Sequence, residues 1–320
     1  MWWRNIFRRN RTGQSTGGAP GEKGALSMPA AVWHQLDSLQ LSGGRFLPGR
    51  GSGQRRSFRR KPHAEFHEHR MYVPGDDVRF VDWRASARQE QVFIKQGEQP
   101  KENTVYFLLD CSASMSWGAP PKHQAQRALA AALGYSVLAH EDRLVVVPLA
   151  EAGPPPLGPL RGKGQLPALF DYLQRLPLRG QVDVVEQIRV FSRRTRTSGL
   201  VLVLSDLIDV ADFAGALDFM PPPIWEVVFL HLLHPDELEP PFRGNLRIVD
   251  IETNRRRNCD IDAAAIRRYR TGLTDWRAGL ERQCDELRSL YTLIRTDAPL
   301  ATAVIPQLVA QHILRPRWTS

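Results

Sequence analysis

Oxygen-bearing side chains follow two apolar segments of the chain, and their types suggest a metal site. Asp110, Ser112 and Ser114 come directly after one apolar segment, and Asp206 closes a second one. In sheets of parallel strands, ligands bind beyond the carboxyl ends of the strands. If the two segments are neighbouring strands, two carboxylates and two hydroxyls meet there. These hard oxygen ligands suit Mg²⁺, so the spacing predicts a magnesium site.

The same residues have an ordinary explanation. A D-x-S-x-S pattern arises by chance in a chain of this length with a probability on the order of several per cent. Asp and Ser after a strand also cap the helix that follows. Because Asp110 and Asp206 each close an apolar segment, we favour the metal interpretation over chance.

A catalytic role for the same loop is less consistent with its sequence than a metal site. A phosphoryl-accepting Asp110, as in haloacid dehalogenases, needs a second Asp two residues on, where this chain has Ser112. No G-x-S-x-G elbow surrounds either serine, and no Walker-type phosphate loop is present. We therefore predict a protein without enzymatic activity.

A second cluster of metal-ligating residue types lies upstream. It could form a zinc site, since imidazole is a common zinc ligand. The segment is polar and basic and contains no cysteine, so we favour a solvated loop. The cluster consists of His63, Glu65, His67, Glu68 and His69.

The hydrophobic pattern predicts an α/β protein with a mostly parallel sheet. Apolar segments at 104–109, 143–149, 199–204, 226–232, 246–251 and 292–295 read as strands, with 246–251 as an edge strand. Helical patterns cover 29–40, 122–139, 165–175, 184–194, 211–219, 262–290 and 300–314. Strands that are apolar on both faces and alternate with helices indicate a sheet covered on both sides.

The net charge is localised. The formal charge is +9, and residues 1–70 alone hold 13 basic and 4 acidic residues, so the remainder is neutral. A neutral body argues against a nucleic-acid-binding core. The basic run at 55–61, with Phe58 available for stacking, remains an alternative site for nucleic acid or an anionic membrane.

Cysteine usage and hydropathy predict a cytoplasmic protein. The cysteines are Cys111, Cys259 and Cys284, an odd number without metal-type spacing, which fits a reducing compartment. The longest apolar run, 128–139, is shorter than the roughly 20 residues needed to cross a bilayer. Residues 1–11 are either a loose tail or an aromatic and basic segment that contacts a membrane surface.

The segment TVYFLLDCSASM resembles the first strand and metal-ion-dependent adhesion loop of von Willebrand factor A domains. The resemblance implies a doubly wound sheet with helices on both faces. It also implies that Ser112 and Ser114 bind Mg²⁺ directly and that Asp110 and Asp206 bind it through water. A partner's carboxylate would then take the open position.

The second loop of that site departs from the family pattern. The matching stretch is 179–183, and Val182 stands where the family has Thr. Valine has the shape of threonine without its oxygen. The metal is therefore expected to bind weakly or not at all, or with help from Asp183.

A second resemblance is carried by a longer upstream segment. Residues 70–88 are similar to the signature of a bacterial family catalogued as domain of unknown function 58. The match implies a non-enzymatic adaptor that works with a MoxR-type AAA+ ATPase on a client protein, in a short form without membrane helices. Arg84 and Arg88 either pair with the interleaved acids of this segment or face the partner.

The domain boundaries follow from these patterns. We predict a basic tail and short helix over 1–40 and a small β-rich lobe carrying the signature over 41–100. The von Willebrand factor A-like domain then covers 101–314.

Overall fold

The structure is a computed structural model. It describes residues 29–41, 69–72, 81, 83, 86–87, 91–95, 103–208, 210, 212–222, 224–252 and 255–316. Four residues of the histidine and glutamate cluster (His63, Glu65, His67 and Glu68), the tail at 1–28, Arg84 and Arg88 lie outside these residues. His69, the fifth residue of that cluster, begins a strand instead of lying in the expected loop. Contacts divide the chain into two compact units, 47–102 and the remainder.

Helices and strands alternate along the large unit. Its strands are β1 (Leu39–Leu41), β4 (Thr104–Asp110), β5 (Arg143–Leu149), β6 (Leu157–Leu160), β7 (Leu200–Ser205), β8 (Glu226–Leu233), β9 (Gly244–Val249), β10 (Arg256–Ile261), β11 (Leu290–Arg295) and β12 (Leu314–Pro316). Its helices are α1 (Ala30–Asp37), α2 (Lys122–Ala139), α3 (Leu166–Arg175), α4 (Val184–Arg194), α5 (Ala214–Leu217), α6 (Pro235–Leu238), α7 (Ala263–Glu286) and α8 (Ile305–Ala310).

Six strands form one sheet in the order β11-β8-β7-β4-β5-β6. All neighbouring pairs are parallel except β5 and β6. The mostly parallel α/β sheet predicted from the sequence is thus confirmed. The central strands β4 and β7 are buried along their whole length, as expected for strands covered on both faces.

Alternate side chains of β4 enter two different cores. Phe107 and Leu109 pack in the core that also contains buried residues of α1, α2, α3 and α8. Tyr106 and Leu108 pack on the other face with residues of α4, α5 and α7. The period of two along a strand therefore places helices on both sides of the sheet.

Several predicted elements differ in their bounds or partners. The predicted edge strand at 246–251 is wrong as a part of the main sheet, because β9 pairs with β10 in a separate antiparallel pair. The predicted helix at 300–314 contains a π-type turn, then α8, and ends before β12. Strand β12 pairs with β1, so residues 39–41 are extended rather than helical.

Strand β6 had no sequence prediction. It contains Gly158 and Pro159, which are both depleted in strands. Pro is tolerated on an edge strand, where its missing N–H faces away from the ladder, and β6 is the terminal strand of the sheet.

The small unit contains the antiparallel pair β2 (His69–Met71) and β3 (Phe93–Lys95) among its described residues. The Tyr72 N–H donates to the carbonyl of Val92, and the Phe93 N–H donates to the hydroxyl of Ser86. This pair lies within the region for which a β-rich lobe was predicted.

Candidate functional site

Strands β4 and β7 are adjacent and parallel. Leu109 lies opposite Leu204 in their register, so both strands end at the same edge of the sheet. The next residues, Asp110 on one strand and Ser205 and Asp206 on the other, therefore emerge side by side. The convergence on which the sequence argument depended is present in the fold.

Asp110 is a buried carboxylate held by two donors. Its Oδ1 accepts a hydrogen bond of 2.8 Å from the Ser112 N–H, and its Oδ2 accepts one of 2.5 Å from the Ser205 hydroxyl. Burial and the nearby negative charge of Asp206 raise the pKa of Asp110 to about 6, against the effect of these hydrogen bonds. Asp110 thus orders the start of the loop.

The two serine hydroxyls of the loop lie together. Ser112 Oγ and Ser114 Oγ are 2.8 Å apart and both side chains are buried. They line a cleft of about 320 Å³ with Asp206, Val182 and others. The Ser114 hydroxyl also contributes to lowering the pKa of Asp206. Both hydroxyls and one carboxylate therefore border the same space.

The loop before α4 forms another wall of this cleft. The Ala113 N–H donates to the Gly180 carbonyl at 2.9 Å, which places this loop beside the two serines. Val182 lines the cleft and contributes no oxygen from its side chain. Asp183 also lines the cleft, but its Oδ1 accepts a 2.9 Å hydrogen bond from the Glu186 N–H and so caps α4.

A buried lysine forms an ion pair with Asp206. Lys122, the first residue of α2, is 0% exposed, and its Nζ lies 2.6 Å from Asp206 Oδ2 and 2.6 Å from Glu237 Oε1. Glu237 belongs to α6, which follows β8, and its Oε2 accepts from the His234 N–H. One ammonium therefore ties together three segments at the carboxyl edge of the sheet.

These charges shift one another's pKa values. Burial alone would lower the pKa of Lys122, but the carboxylates of Asp206 and Glu237 raise it above its ordinary value. Burial would raise the pKa of Asp206, yet the ammonium of Lys122 holds it below its usual range. The pKa of Glu237 is raised by burial, which Lys122 only partly offsets. We conclude that Asp206 and Lys122 are charged at neutral pH.

Sequence reasoning missed both Lys122 and Glu237. Lysine is seldom fully buried, and a lysine at the start of a helix carries no local sign of burial. Glu237 had a weaker signal, because it lies four residues after the end of β8, whereas Asp110 and Asp206 stand directly at the ends of their strands. The rule that found the first two carboxylates would have selected Asp236 as readily as Glu237.

Gln126 joins the ends of β4 and β7 through two hydrogen bonds. Its Nε2 donates to the Asp110 carbonyl at 3.0 Å and to the Leu204 carbonyl at 2.9 Å. The side chain is buried, one turn along α2 from Lys122. Helix α2 thus supplies both the amide that joins β4 to β7 and the ammonium that binds Asp206.

The donor set fits a hard divalent cation better than a transition metal. Hydroxyl and carboxylate oxygens are the ligands preferred by Mg²⁺, which keeps several of its waters. Within the described residues, no group of three or more His, Cys, Asp or Glu side chains is arranged to hold a metal. Of the residues predicted to hold a metal, Ser112, Ser114 and Asp206 line the cleft, whereas Asp110 does not.

The three cysteines form no disulfide in the structure. Cys111, Cys259 and Cys284 are free, and burial raises the pKa of Cys111 to about 12. The Cys111 thiol therefore packs as a small apolar group beside the site. Among the described residues, none of the helices is both long and apolar enough to cross a membrane.

Comparison with known proteins finds relatives of similar length and one solved structure with partial similarity. It is 26% identical over 274 residues to uncharacterized protein Mb1516 of Mycobacterium bovis and to uncharacterized protein Rv1480 of Mycobacterium tuberculosis, covering 82% of this chain and 84% of each relative. The crystal structure of conserved hypothetical protein BatB from Bacteroides thetaiotaomicron aligns with a TM-score of 0.39 and 14% identity, over 66% of this chain and 98% of that one.

Residues 68–278 match the family described as "Protein of unknown function DUF58". That match spans the signature segment, the loop with Asp110 and the cleft described above. The chain belongs to the DUF58 family.

Proposed function

We propose that this protein is a non-enzymatic protein-binding module whose cleft binds Mg²⁺ and, through it, an acidic side chain of a partner. The observation that carries the proposal is the convergence of Ser112, Ser114 and Asp206 on one cleft, with Asp110 accepting a hydrogen bond from the Ser112 N–H. A bound Mg²⁺ would supply an open coordination position for a carboxylate.

The fold is consistent with a von Willebrand factor A-like domain. The site lies at the carboxyl edge of a parallel sheet, where β4 and β7 are neighbours, and helices cover both faces. Such an edge is the usual ligand site of open α/β sheets. Val182 is the point at which this cleft is poorer in oxygens than the adhesion site it resembles.

The surroundings of the hydroxyls do not favour nucleophilic catalysis. A serine nucleophile needs an adjacent general base, usually an imidazole or amine. Ser112 Oγ pairs with Ser114 Oγ, and Asp206, which borders the same cleft, has a lowered pKa that makes it a poor base. The polar groups of the cleft are better suited to binding than to proton transfer.

For the partner we propose a MoxR-type AAA+ ATPase, with this chain acting in the cytoplasm as its adaptor toward a client protein. This part of the proposal comes from the family resemblance of residues 70–88 and 104–115. The cleft adds the chemical requirement that the partner present an Asp or Glu.

The test is a binding measurement between the full chain and a MoxR-type ATPase from the same host. Ser112→Ala removes a proposed direct ligand, whereas Asp110→Ala would also strand the buried donors of Ser112 and Ser205. We expect Ser112→Ala to weaken binding at least tenfold in the presence of Mg²⁺.

Ser116→Ala is the matched control, because Ser116 lies on the same turn but is exposed and only donates to the Ala113 carbonyl. An AAA+ ATPase itself uses Mg²⁺ with its nucleotide, so a chelator alone would be ambiguous. Equal binding by wild type, Ser112→Ala and Ser114→Ala would rule out the metal bridge.

A further inference from the structure

The buried lysine competes with the proposed metal for the same carboxylate. Lys122 is fully buried and does not line the cleft, whereas Asp206 does. Asp206 thus has the cleft on one side and an ammonium on the other. Its Oδ2 is 2.6 Å from Lys122 Nζ, and its Oδ1 accepts a hydrogen bond of 3.3 Å from the Ile208 N–H.

Several contacts keep the ammonium in place. The Lys122 N–H donates to the Trp117 carbonyl at 2.9 Å, and Glu237 holds the other side of the ammonium. Trp117 packs edge-on against His234 at 5.1 Å between ring centroids. Lys122 therefore cannot swing into solvent without opening the loop before α2 and the turn after β8.

We propose that Lys122 is a built-in counterion that keeps Asp206 ordered in the absence of metal and makes the native cleft a weak Mg²⁺ site. A dication beside Asp206 would be repelled by the fixed ammonium, and it would share a carboxylate that is already engaged. The inference rests on the proposed function, because it concerns the same metal site.

A second consequence concerns order in the metal-free protein. Two close carboxylates, Asp110 and Asp206, normally repel each other and favour either protonation or a bound cation. Here the cation is part of the chain, so the cleft keeps its shape before Mg²⁺ or a partner arrives. A partner would therefore meet a preorganised surface and supply the remaining metal ligand itself.

The experiment measures Mg²⁺ affinity of the chelator-treated full chain by isothermal titration calorimetry. The test variant is Lys122→Met with Glu237→Gln, which removes the ammonium and one of its two carboxylates, so the net charge of the cluster is unchanged. We expect it to bind Mg²⁺ at least tenfold more tightly than wild type.

The matched control is Glu237→Gln alone, which retains the ammonium beside Asp206 and should bind Mg²⁺ no more tightly than wild type. A circular dichroism spectrum that matches wild type verifies folding of each variant. If the double variant fails to fold, Lys122→Gln with Glu237→Gln takes its place, because a glutamine amide can still donate to Asp206.

The outcomes separate this inference from the proposed function. Tighter Mg²⁺ binding by the double variant than by wild type and by Glu237→Gln supports the role of Lys122 and leaves the metal site standing. Equal, measurable affinity in both overturns the role of Lys122 and leaves the metal site standing. Absence of Mg²⁺ binding in both overturns the two together.

Discussion

Removal of the Lys122 ammonium should destabilise the protein strongly. In Lys122→Met, Asp206 and Glu237 lose their shared counterion, a fully buried ammonium that lies 2.6 Å from each carboxylate. Breaking a buried pair by removing one partner costs about 3 to 5 kcal/mol. For a unit of this size each kcal/mol lowers the melting temperature by roughly 2 to 4 °C. We therefore expect a melting temperature lower by about 10 °C.

The assay is urea unfolding followed by circular dichroism, supported by thermal melts. Lys163→Met is the control, because Lys163 pairs with Asp37 at 2.9 Å but both side chains are about half exposed. Exposed pairs contribute about 0 to 1 kcal/mol. Adding Glu237→Gln to Lys122→Met should recover part of the loss, since one stranded carboxylate becomes neutral. A cost below about 1 kcal/mol for Lys122→Met would refute the reasoning.

Three further changes test close packing and buried polar groups in the large unit. Gly199→Ala would place a Cβ 2.0 Å from the Thr104 carbonyl oxygen and should cost about 3 kcal/mol in urea unfolding, whereas Gly164→Ala, which meets open space, should be neutral. Gln126→Leu removes the hydrogen bonds that the amide donates to the carbonyls at the ends of β4 and β7, and it should lower the unfolding free energy by about 1 to 3 kcal/mol. An unchanged midpoint in urea unfolding would contradict this prediction. Burial raises the pKa of Asp142 to about 6, so the folded state binds the proton more tightly and stability falls as pH rises from about 4 to 6. Asp142→Asn should reduce that dependence, leaving the part due to Asp110, whose pKa is also raised to about 6, and should raise stability at pH 7 by at most about 3 kcal/mol, as read from melts at several pH values.

The sequence was informative wherever one local rule sufficed. Strands β4 and β7 are apolar on both faces, which already indicates central strands of a covered parallel sheet. Parallel strands end at a common edge, so Asp110 and Asp206 were expected at that edge. That they lie close together depends on β4 and β7 being neighbours, which the fold shows. The same reasoning failed at 246–251, because alternation alone does not tell a hairpin strand from a sheet edge.

By itself, the sequence determined the α/β class, the buried strands and the edge at which the loop with Ser112 and Ser114 lies. These follow from hydrophobic period and strand direction, which are local properties. Only the tertiary structure decided that Lys122 is buried between Asp206 and Glu237. That pairing requires β7 and β8 to be neighbours, so that Asp206 and Glu237 lie close together. It also requires α2 to begin next to both carboxylates. The burial of a charge depends on partners distant in sequence, because only they can offset its loss of solvation.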